Sequence, residues 1–345
     1  MARVLVIGAG PAGLLAAREL QGRGHEVTVL DKGHRPGGRM ASRRVGEAVF
    51  DTGAQFITTK SERFAAHVAA WRAHGAAAVW FHGAPDADGP VSDADGPVPD
   101  ADGTGDGHPR YRGVPAMRSI PEHLAAGLDV RLARRVTGVA GGPGGWRVVS
   151  VARGDEDDRE ELGGDALLIS TPVPQTLELL AAGGAALSGE LGEELTGITY
   201  VPTIALLVVP RSVPRLGARG AVRLAEGPVG FISDNQAKGV SPVPAVTIHA
   251  GRELSRRRWD DSDEVVADEV LAAARPFVGE ADVVAVHRWR YATPLVDPPA
   301  GAPAARLAHA PRPVAFAGDA FAGGRVEGAA LSGLQAADLL VDALA

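Results

Sequence analysis

The fold of this chain is decided by the stretch Val4-Leu-Val-Ile-Gly-Ala-Gly-Pro-Ala-Gly-Leu-Leu-Ala-Ala-Arg-Glu-Leu-Gln-Gly22 and by Val27-Thr-Val-Leu-Asp31, which follows it closely. The apolar run at the start of the first stretch predicts a buried parallel strand. A helical pattern continues to Gly22, and the second stretch predicts another strand. Strand, glycine-rich turn, helix and strand together predict the first half of a dinucleotide-binding βαβ unit.

The turn between the first strand and the helix carries the pattern G-x-G-x-x-G at Gly8, Gly10 and Gly13. The first glycine allows a tight turn, the second lets the backbone approach a pyrophosphate, and the third lets the helix lie close to the sheet. The helix N-terminus offers free N–H groups to the phosphates. Asp31 ends the second strand, where a carboxylate can accept hydrogen bonds from a ribose diol.

A second glycine-rich segment indicates which dinucleotide is bound. Gly37-Gly38-Arg39-Met40 comes soon after Asp31, and Asp51-Thr-Gly-Ala-Gln55-Phe56 follows it. A simple NAD dehydrogenase does not need such a loop. A flavoprotein does, because its cofactor FAD is longer. We expect Arg39 to meet the pyrophosphate bidentately and the segment ending at Phe56 to pass the flavin ring. The alternative for Arg39 is a solvated surface arginine.

The C-terminal part of the chain supplies a matching half-site. A short apolar strand ends in Gly318-Asp319, and Gly323-Gly-Arg325-Val326-Glu-Gly328 leads into a helix. We expect Asp319 to accept a hydrogen bond from a ribityl hydroxyl, and the helix start near Val326 to donate N–H groups to the flavin N1/C2 edge. The alternative role for Asp319 is to cap a helix.

These motifs together resemble the flavin amine oxidase superfamily, and within it the chain is most similar to the renalase branch. The branch resemblance rests on Tyr111–Met117, Asp234–Lys238, Val246–Ala250 and His287–Pro294. It covers nearly the whole chain. It implies an α/β fold in which a discontinuous Rossmann-type FAD-binding domain is interleaved with an α+β substrate domain.

The motifs and the resemblance assign a set of residues to FAD. The chain contains no cysteine, so we expect the FAD to be non-covalent. The assigned residues are Gly8, Gly10, Pro11, Ala12, Gly13, Asp31, Lys32, Gly38, Arg39, Met40, Gln55, Phe56, Val136, Thr171, Pro172, Trp289, Gly318, Asp319, Arg325, Val326, Glu327 and Ala329.

Flavin motifs at both ends of the chain predict a discontinuous cofactor domain. We assign residues 1–60, 110–172 and 284–345 to the FAD-binding domain, and residues 61–109 and 173–283 to the substrate domain. Residues 83–108 contain a repeated Asp-Ala-Asp-Gly pattern with no apolar face, which predicts a flexible acidic loop. A calcium loop is the alternative there, although the required glutamate is missing at the right spacing.

Composition excludes several function classes. The formal net charge is −7 and no Lys/Arg cluster is interleaved with aromatic residues, which argues against nucleic-acid binding. The pattern predicts no metal site. The apolar N-terminus resembles a secretory signal, but glycines and a proline interrupt it, and no run reaches the roughly 18 apolar residues of a membrane span. We therefore expect a soluble cytoplasmic protein, as a monomer or homodimer.

The resemblance places four candidate substrate-facing residues in or next to the second domain: Asn235, His249, Trp289 and Tyr291. For His249, a buried histidine satisfied by a neighbouring strand is the alternative. Amine oxidases usually hold the amine in an aromatic cage, with a lysine reached through water. This chain has three tyrosines and three lysines, none of the lysines obviously placed for that role, which disfavours amine oxidation.

Three functional hypotheses remain at this point. The first, implied by the resemblance, is oxidation of isomeric dihydro-NAD(P) to NAD(P) by hydride transfer to flavin N5, with O₂ as final acceptor. The second is an amine oxidase or a carotenoid/porphyrin-type desaturase on the same scaffold. The third is a non-catalytic FAD-binding protein.

Overall fold

The structure, a computed structural model, describes residues 1–83, 107–185, 187, 189–296, 303–308 and 312–345. The acidic repeat at 86–103, and with it the calcium alternative, lies outside these residues. No helix within the described ranges is both long and apolar enough to span a bilayer.

Helices and strands alternate through the chain. The helices are α1 (Pro11–Gly22), α2 (Glu62–Ala73), α3 (Ser119–Ala125), α4 (Val173–Ala182), α5 (Gly189–Thr196), α6 (Arg252–Arg257), α7 (Asp263–Val278), α8 (Asp319–Ala322) and α9 (Val326–Leu344). The strands are β1 (Arg3–Ile7), β2 (Glu26–Leu30), β3 (Ser42–Val45), β4 (Ala48–Asp51), β5 (Ala77–His82), β6 (Pro109–Gly113), β7 (Asp129–Arg131), β8 (Arg134–Gly142), β9 (Gly145–Ala152), β10 (Asp155–Gly164), β11 (Ala166–Ile169), β12 (Tyr200–Pro210), β13 (Ala221–Arg223), β14 (Val229–Asp234), β15 (Val246–Ala250), β16 (Ala281–Pro294), β17 (Arg306–Ala308) and β18 (Val314–Phe316).

A six-stranded sheet in the order β17-β18-β11-β1-β2-β7 forms the first layer of the fold. Its strands pair in parallel, except that β17 runs antiparallel to β18. β2 and then β7 are added on one side of β1, and β11 is later added on its opposite side. The strand order therefore reverses at β1, and ligands of such sheets bind in the crevice at the carboxyl ends of the strands there.

The glycines after β1 set the close packing at this crevice. Gly8 has φ +109°, a region that side chains rarely adopt, and a Cβ on it would lie 2.6 Å from Ser170 Oγ. A Cβ on Gly13 would lie 2.0 Å from the carbonyl oxygen of Gly8. Helix α1 therefore approaches the end of β1 more closely than any side chain at position 13 permits.

Apolar layers cover both faces of the six-stranded sheet. On one face α1, α2 and α9 pack through residues such as Leu14, Phe64 and Leu334. On the other face lie the antiparallel sheet β10-β9-β8 and helix α4, with Trp146 and Leu180 in the shared core. Burial of these faces supplies the main stabilisation of this half of the fold.

A five-stranded antiparallel sheet in the order β13-β14-β15-β12-β16 forms the second half of the fold. Helix α7 packs against it through Val266, Val270 and Phe277, the face expected from its apolar spacing. One register row crosses this sheet: Arg223 pairs with Phe231, Phe231 with His249, His249 with Ala205, and Ala205 with His287.

The α/β class with a Rossmann-type layer is confirmed, but the structure differs from the predicted domain division in three places. Helix α2, assigned to the substrate half, packs in the core with α1 and α9. Helices α4 and α5 likewise pack beside the six-stranded sheet. Strand β16, assigned partly to the cofactor half, pairs along β12 in the five-stranded sheet. The sequence pattern shows which face of each element is apolar, but not which neighbour covers that face.

The close crossing of α1 and α9 predicts that a side chain at position 333 would destabilise the fold. A Cβ on Gly333 would lie 2.1 Å from the carbonyl oxygen of Ala12, so Gly333→Ala should force the helices apart and cost roughly 1–3 kcal/mol of unfolding free energy. Gly22→Ala is the matched control, because a Cβ there meets nothing within 4 Å. Urea unfolding of both variants measures the difference. Equal stability would refute the close contact.

Candidate active site

A cavity of about 1340 Å³ lies between the carboxyl edge of the six-stranded sheet and one face of the five-stranded sheet. Its walls include the turns after β1, β2 and β11, the start of α9 and the register row that contains His249. Typical small-molecule pockets measure about 300–1,000 Å³. This cavity therefore has room for a ligand larger than a drug-sized molecule, or for two ligands side by side.

The first wall of the cavity is the glycine-rich turn at the N-terminus of α1. Gly10 lines the cavity, and a Cβ on it would meet nothing within 4 Å, so backbone is directly exposed to a ligand. Ser170, at the end of β11, donates its hydroxyl to the carbonyl oxygens of Ile7 and Gly8 and holds the turn in place. This arrangement suits a pyrophosphate at the helix N-terminus.

Asp31 fixes the loops beside this turn. Its Oδ2 accepts from the backbone N–H of Ala9 at 2.7 Å, and its Oδ1 accepts from that of Gly33 at 2.7 Å. Burial raises the pKa of Asp31, while the two backbone hydrogen bonds oppose that shift. Each carboxylate oxygen keeps a second lone pair, so the predicted contact with a ribose diol remains available.

Arg39 and Asp319 form a bidentate ion pair across the cavity, with both N···O distances 2.7 Å. Arg39 also donates to the carbonyl oxygens of Tyr291 and Ala292. Burial acts to lower the pKa of Arg39, but Asp319 reverses this and the pKa is raised. Two side chains predicted to bind separate parts of the cofactor thus position one another.

Asp51 organises the loop that follows β4. This fully buried carboxylate accepts from Lys238 Nζ at 2.8 Å, from Ser42 Oγ at 2.6 Å and from the Met117 N–H at 2.9 Å. Lys238 also donates to the carbonyl oxygen of Gln55. Burial lowers the pKa of Lys238, and Asp51 opposes the shift. The segment from Asp51 to Gln55 is therefore anchored at both ends.

The carbonyl oxygen of Thr52, inside this anchored segment, accepts two side-chain hydrogen bonds. One comes from His249 Nε2 at 3.1 Å and the other from Trp289 Nε1 at 2.9 Å. Burial lowers the pKa of His249 to about 4. Because Nε2 must carry its hydrogen to donate, the neutral ring has an unprotonated Nδ1. His249 is therefore a neutral, fixed ring near neutral pH.

The fit of FAD to this wall can be tested at two of its glycines. A Cβ on Gly10, at the N-terminus of α1, or on Gly318, just before α8, would meet nothing within 4 Å, and both glycines line the cavity. Bare backbone at these two positions is therefore open to a bound group, and the N–H groups at the start of α1 suit a phosphate. Gln55 donates its amide nitrogen to the carbonyl oxygens of Asp51 and Gly53, at 2.7 and 3.0 Å, and so helps to hold the segment between them. The residues fit FAD.

The structure brings nearly all of the predicted site residues to this one cavity. Every residue assigned to FAD lines it except Gly13, whose role is helix packing. Glu327 lines it but accepts from the backbone N–H groups of Lys60 and Ser61, so it also holds the loop before α2. His249, Trp289 and Tyr291 line it as well.

Asn235 does not line the cavity, in contrast to its predicted substrate contact. It is fully buried; its Oδ1 accepts from the Asp51 N–H at 3.1 Å, and its Nδ2 donates to Thr247 Oγ1 at 2.9 Å. Both partners belong to the core behind the register row. Sequence position placed Asn235 close to the site, but the strand-end geometry turns its side chain away.

Several cavity residues were not among the predicted site residues. Arg110, Arg223, Phe231 and His287 all line the cavity. The rings of His287 and Trp289 lie 4.2 Å apart between centroids. Alternation along the strands could have indicated which of these residues share a face. The register that aligns Arg223, Phe231 and His287 across the five-stranded sheet is not visible in one sequence.

The sequence of the chain matches a known family. A family model described as flavin containing amine oxidoreductase matches residues 81–341, and one described as an NAD(P)-binding Rossmann-like domain matches residues 6–71. The first of these spans well over half of the chain. The chain therefore belongs to the flavin-containing amine oxidoreductase family.

Curated relatives match over a short stretch only. A lysine-specific histone demethylase 1 homolog 3 from Arabidopsis thaliana is 54% identical over 57 residues, which is 16% of this chain and 4% of that protein. A putrescine oxidase from Kocuria rosea is 49% identical over 55 residues, covering 16% of this chain and 12% of its own length. The chain thus covers about a tenth or less of the length of these relatives.

Solved structures resemble the chain over its full length. A putrescine oxidase bound to putrescine has a TM-score of 0.69 at 14% identity, and the match covers 99% of both chains. A putative protoporphyrinogen oxidase from Exiguobacterium sp. 255-15 has a TM-score of 0.67 at 15% identity, covering 99% of this chain and 98% of the other. At such identity the likeness establishes a shared fold.

We predict that Asp319→Ala weakens retention of a non-covalent FAD. The change leaves the Arg39 guanidinium without its carboxylate and removes an acceptor facing the cavity, which should weaken FAD binding about 10- to 100-fold. The measurement is flavin released into the supernatant by heat denaturation, together with the Kd from flavin fluorescence. Asp338→Ala, which breaks only surface ion pairs with Arg23 and Arg63, is the control. Flavin that stays with the precipitated wild-type chain would contradict non-covalent binding.

We predict a pH signature for His249. Its pKa falls from about 6.5 in the unfolded chain to about 4 in the fold. Above pH 6.5 the ring is neutral in both the folded and the unfolded chain. Between about pH 6.5 and pH 4 the unfolded chain binds a proton that the folded chain does not, so the free energy of unfolding falls as the pH falls. Thermal midpoints should drop less over that window in His249→Gln than in the wild type, with exposed His34→Gln as control. Identical pH curves for His249→Gln and wild type would show that His249 titrates as an exposed histidine.

Proposed function

We propose that the chain is a renalase-like oxidase that converts isomeric dihydro-NAD(P), reduced at the 2- or 6-position, to NAD(P), with O₂ as final electron acceptor. The support comes from the groups that face the substrate side of the cavity. His249 is neutral there, its ring is held by the Thr52 carbonyl, and His287 and Trp289 form an adjacent aromatic surface.

The observation that carries the proposal is the distribution of charge around the cavity. Among the described residues, the carboxylates that line it are Asp31, Glu178, Asp319 and Glu327. None of them lies on the five-stranded sheet. Arginines, in contrast, line the cavity on that side. Such a wall favours a neutral or anionic donor and repels an ammonium ion.

The reaction requires little proton chemistry from these residues. The bound FAD supplies the two-electron acceptor that takes the hydride. A dihydropyridine that loses a hydride becomes an aromatic pyridinium, so no base has to remove a proton from it. With O₂ as the final acceptor, the hydride and one proton from solvent would leave as hydrogen peroxide. The contribution of His249 and Trp289 is to hold the donor ring flat and close, because rate depends on orientation.

Amine oxidation is the second candidate, and family membership favours it. An amine substrate is protonated near neutral pH and must become neutral before it is oxidised. Lys238 would be the one lysine near His249, but it is fully buried, paired with Asp51 and absent from the cavity wall. The described side chains therefore give an amine neither a carboxylate on the substrate sheet nor a free lysine.

Anaerobic flavin reduction separates the two candidates. The purified holoenzyme is mixed with 2- and 6-dihydro-NAD(P) and, separately, with putrescine and simple primary and secondary amines. We expect the dihydropyridines to bleach the flavin at least about tenfold faster than any amine, because only they suit the neutral and cationic wall. Comparable or faster bleaching by amines would replace the proposal with amine oxidation. No reduction by any donor would leave a non-catalytic flavoprotein.

A further inference from the structure

A second histidine, His287, lies near His249 on the same wall of the cavity. Both residues line the cavity, and His287 pairs with Ala205, which pairs in turn with His249. Paired residues of neighbouring strands place their side chains on the same face of a sheet. The two histidines are two strand spacings apart, about 10 Å between their backbones. They therefore face the same part of the cavity, with the methyl group of Ala205 between them in the row.

The hydrogen-bonding groups of His287 are not used by the protein. Within the described ranges, its ring packs against the Trp289 ring, with 4.2 Å between centroids, and neither ring nitrogen has a hydrogen-bond partner. In contrast, His249 Nε2 and Trp289 Nε1 both donate to the carbonyl oxygen of Thr52. His287 can therefore bond to a ligand in the cavity without giving up a hydrogen bond to the protein.

The charge state of His287 restricts the kind of group it can bind. Burial lowers its pKa, and the positive charge of Arg43 lowers the pKa further. The ring is therefore neutral near neutral pH, with one N–H donor and one bare nitrogen that accepts. No protein partner fixes the tautomer, so either nitrogen can carry the hydrogen. Such a ring suits a neutral polar group and offers no charge to a phosphate.

The charged pair assigned to FAD meets β16 at a different point. Arg39, paired with Asp319, donates to the carbonyl oxygens of Tyr291 and Ala292. His287 lies four residues back along the same strand, on the wall formed by the five-stranded sheet. Four residues of extended strand span up to about 13 Å. His287 therefore belongs to the part of the cavity that is left to the donor.

We propose that His287 is a specificity-determining residue that forms a hydrogen bond with the carboxamide on the donor ring. The inference rests on the proposed function for the identity of the donor, a dihydropyridine that carries a carboxamide. A primary carboxamide has a carbonyl acceptor and N–H donors, so it can pair with either nitrogen of a neutral imidazole. Packing against Trp289 keeps the His287 ring in place. A ring without the carboxamide leaves His287 unpaired and is bound less tightly.

A binding titration tests this contact without turnover. The FAD-saturated holoenzyme is titrated with nicotinamide and with 3-methylpyridine, which has a methyl group in place of the carboxamide, in slightly alkaline buffer where both ligands are neutral. Changes in flavin absorbance report binding. His287→Phe keeps a flat ring against Trp289 but removes both ring nitrogens. It should weaken nicotinamide binding about 3- to 10-fold and change 3-methylpyridine binding less than about twofold.

His67→Phe is the matched control, because His67 is also a half-buried histidine next to a tryptophan ring, Trp71, but does not line the cavity. It should bind both ligands as the wild type does. His287→Gln keeps a donor and an acceptor and should recover part of the loss. Equal losses for both ligands in His287→Phe would show that His287 only packs against the ring, and would overturn the inference. Unchanged nicotinamide affinity, or no nicotinamide binding by the wild type, would also overturn it.

Anaerobic flavin reduction separates this inference from the proposed function. If 6-dihydro-NAD reduces the flavin, His287→Phe should raise its dissociation constant by the same factor as that of nicotinamide. A constant that does not change would overturn the role of His287 and leave the proposed function intact. If no dihydropyridine reduces the flavin, the proposed function fails, and the nicotinamide titration still decides whether His287 binds a carboxamide.

Discussion

The buried ion pair between Asp51 and Lys238 is the interaction on which the site depends. Neither side chain is exposed, so each would carry an uncompensated charge without the other, a far larger loss than that of a surface pair. The pair joins the end of β4, where the segment from Asp51 to Gln55 begins, to the turn that follows β14 in the five-stranded sheet. It thereby fixes the Thr52 carbonyl, to which the rings of His249 and Trp289 are hydrogen-bonded. The positions of the His249 and Trp289 rings in the cavity thus depend on an ion pair that lies outside it.

Electrostatics divides the cavity into two regions. At the six-stranded sheet, backbone N–H groups and the Arg39–Asp319 pair form a polar region that is nearly balanced in charge. Across the five-stranded sheet, a single register row runs from a cationic end at Arg223 through the neutral His249 to His287. The proposed function requires a cofactor and a donor to lie in contact, each on its own wall of the cavity. Different charge patterns at the two walls would favour that arrangement.

Local sequence predicted those features that depend on short spacing. Local patterns predicted three features: the glycines of the first turn, Asp31 at the strand end and Gly38-Arg39. Each of them acts within one supersecondary unit. The Arg39–Asp319 pair joins residues 280 positions apart, and nothing local indicates it. The predicted substrate contact of Asn235 was wrong for a related reason. Its motif located the chain near the site, but the direction of the side chain depends on strand pairing. Arg223 was missed because a lone strand-end arginine looks like ordinary surface.

The burial of Lys238 has a practical consequence for studying the protein in solution. The chain has two other lysines, Lys32 and Lys60, and both are exposed. Lys32 lines the cavity whereas Lys60 does not. An amine-directed acylating reagent therefore meets one lysine in the wall where we propose that the cofactor binds and one lysine outside that wall. The ratio of the two modified peptides in a mass spectrum then measures the fraction of protein molecules that carry a bound cofactor.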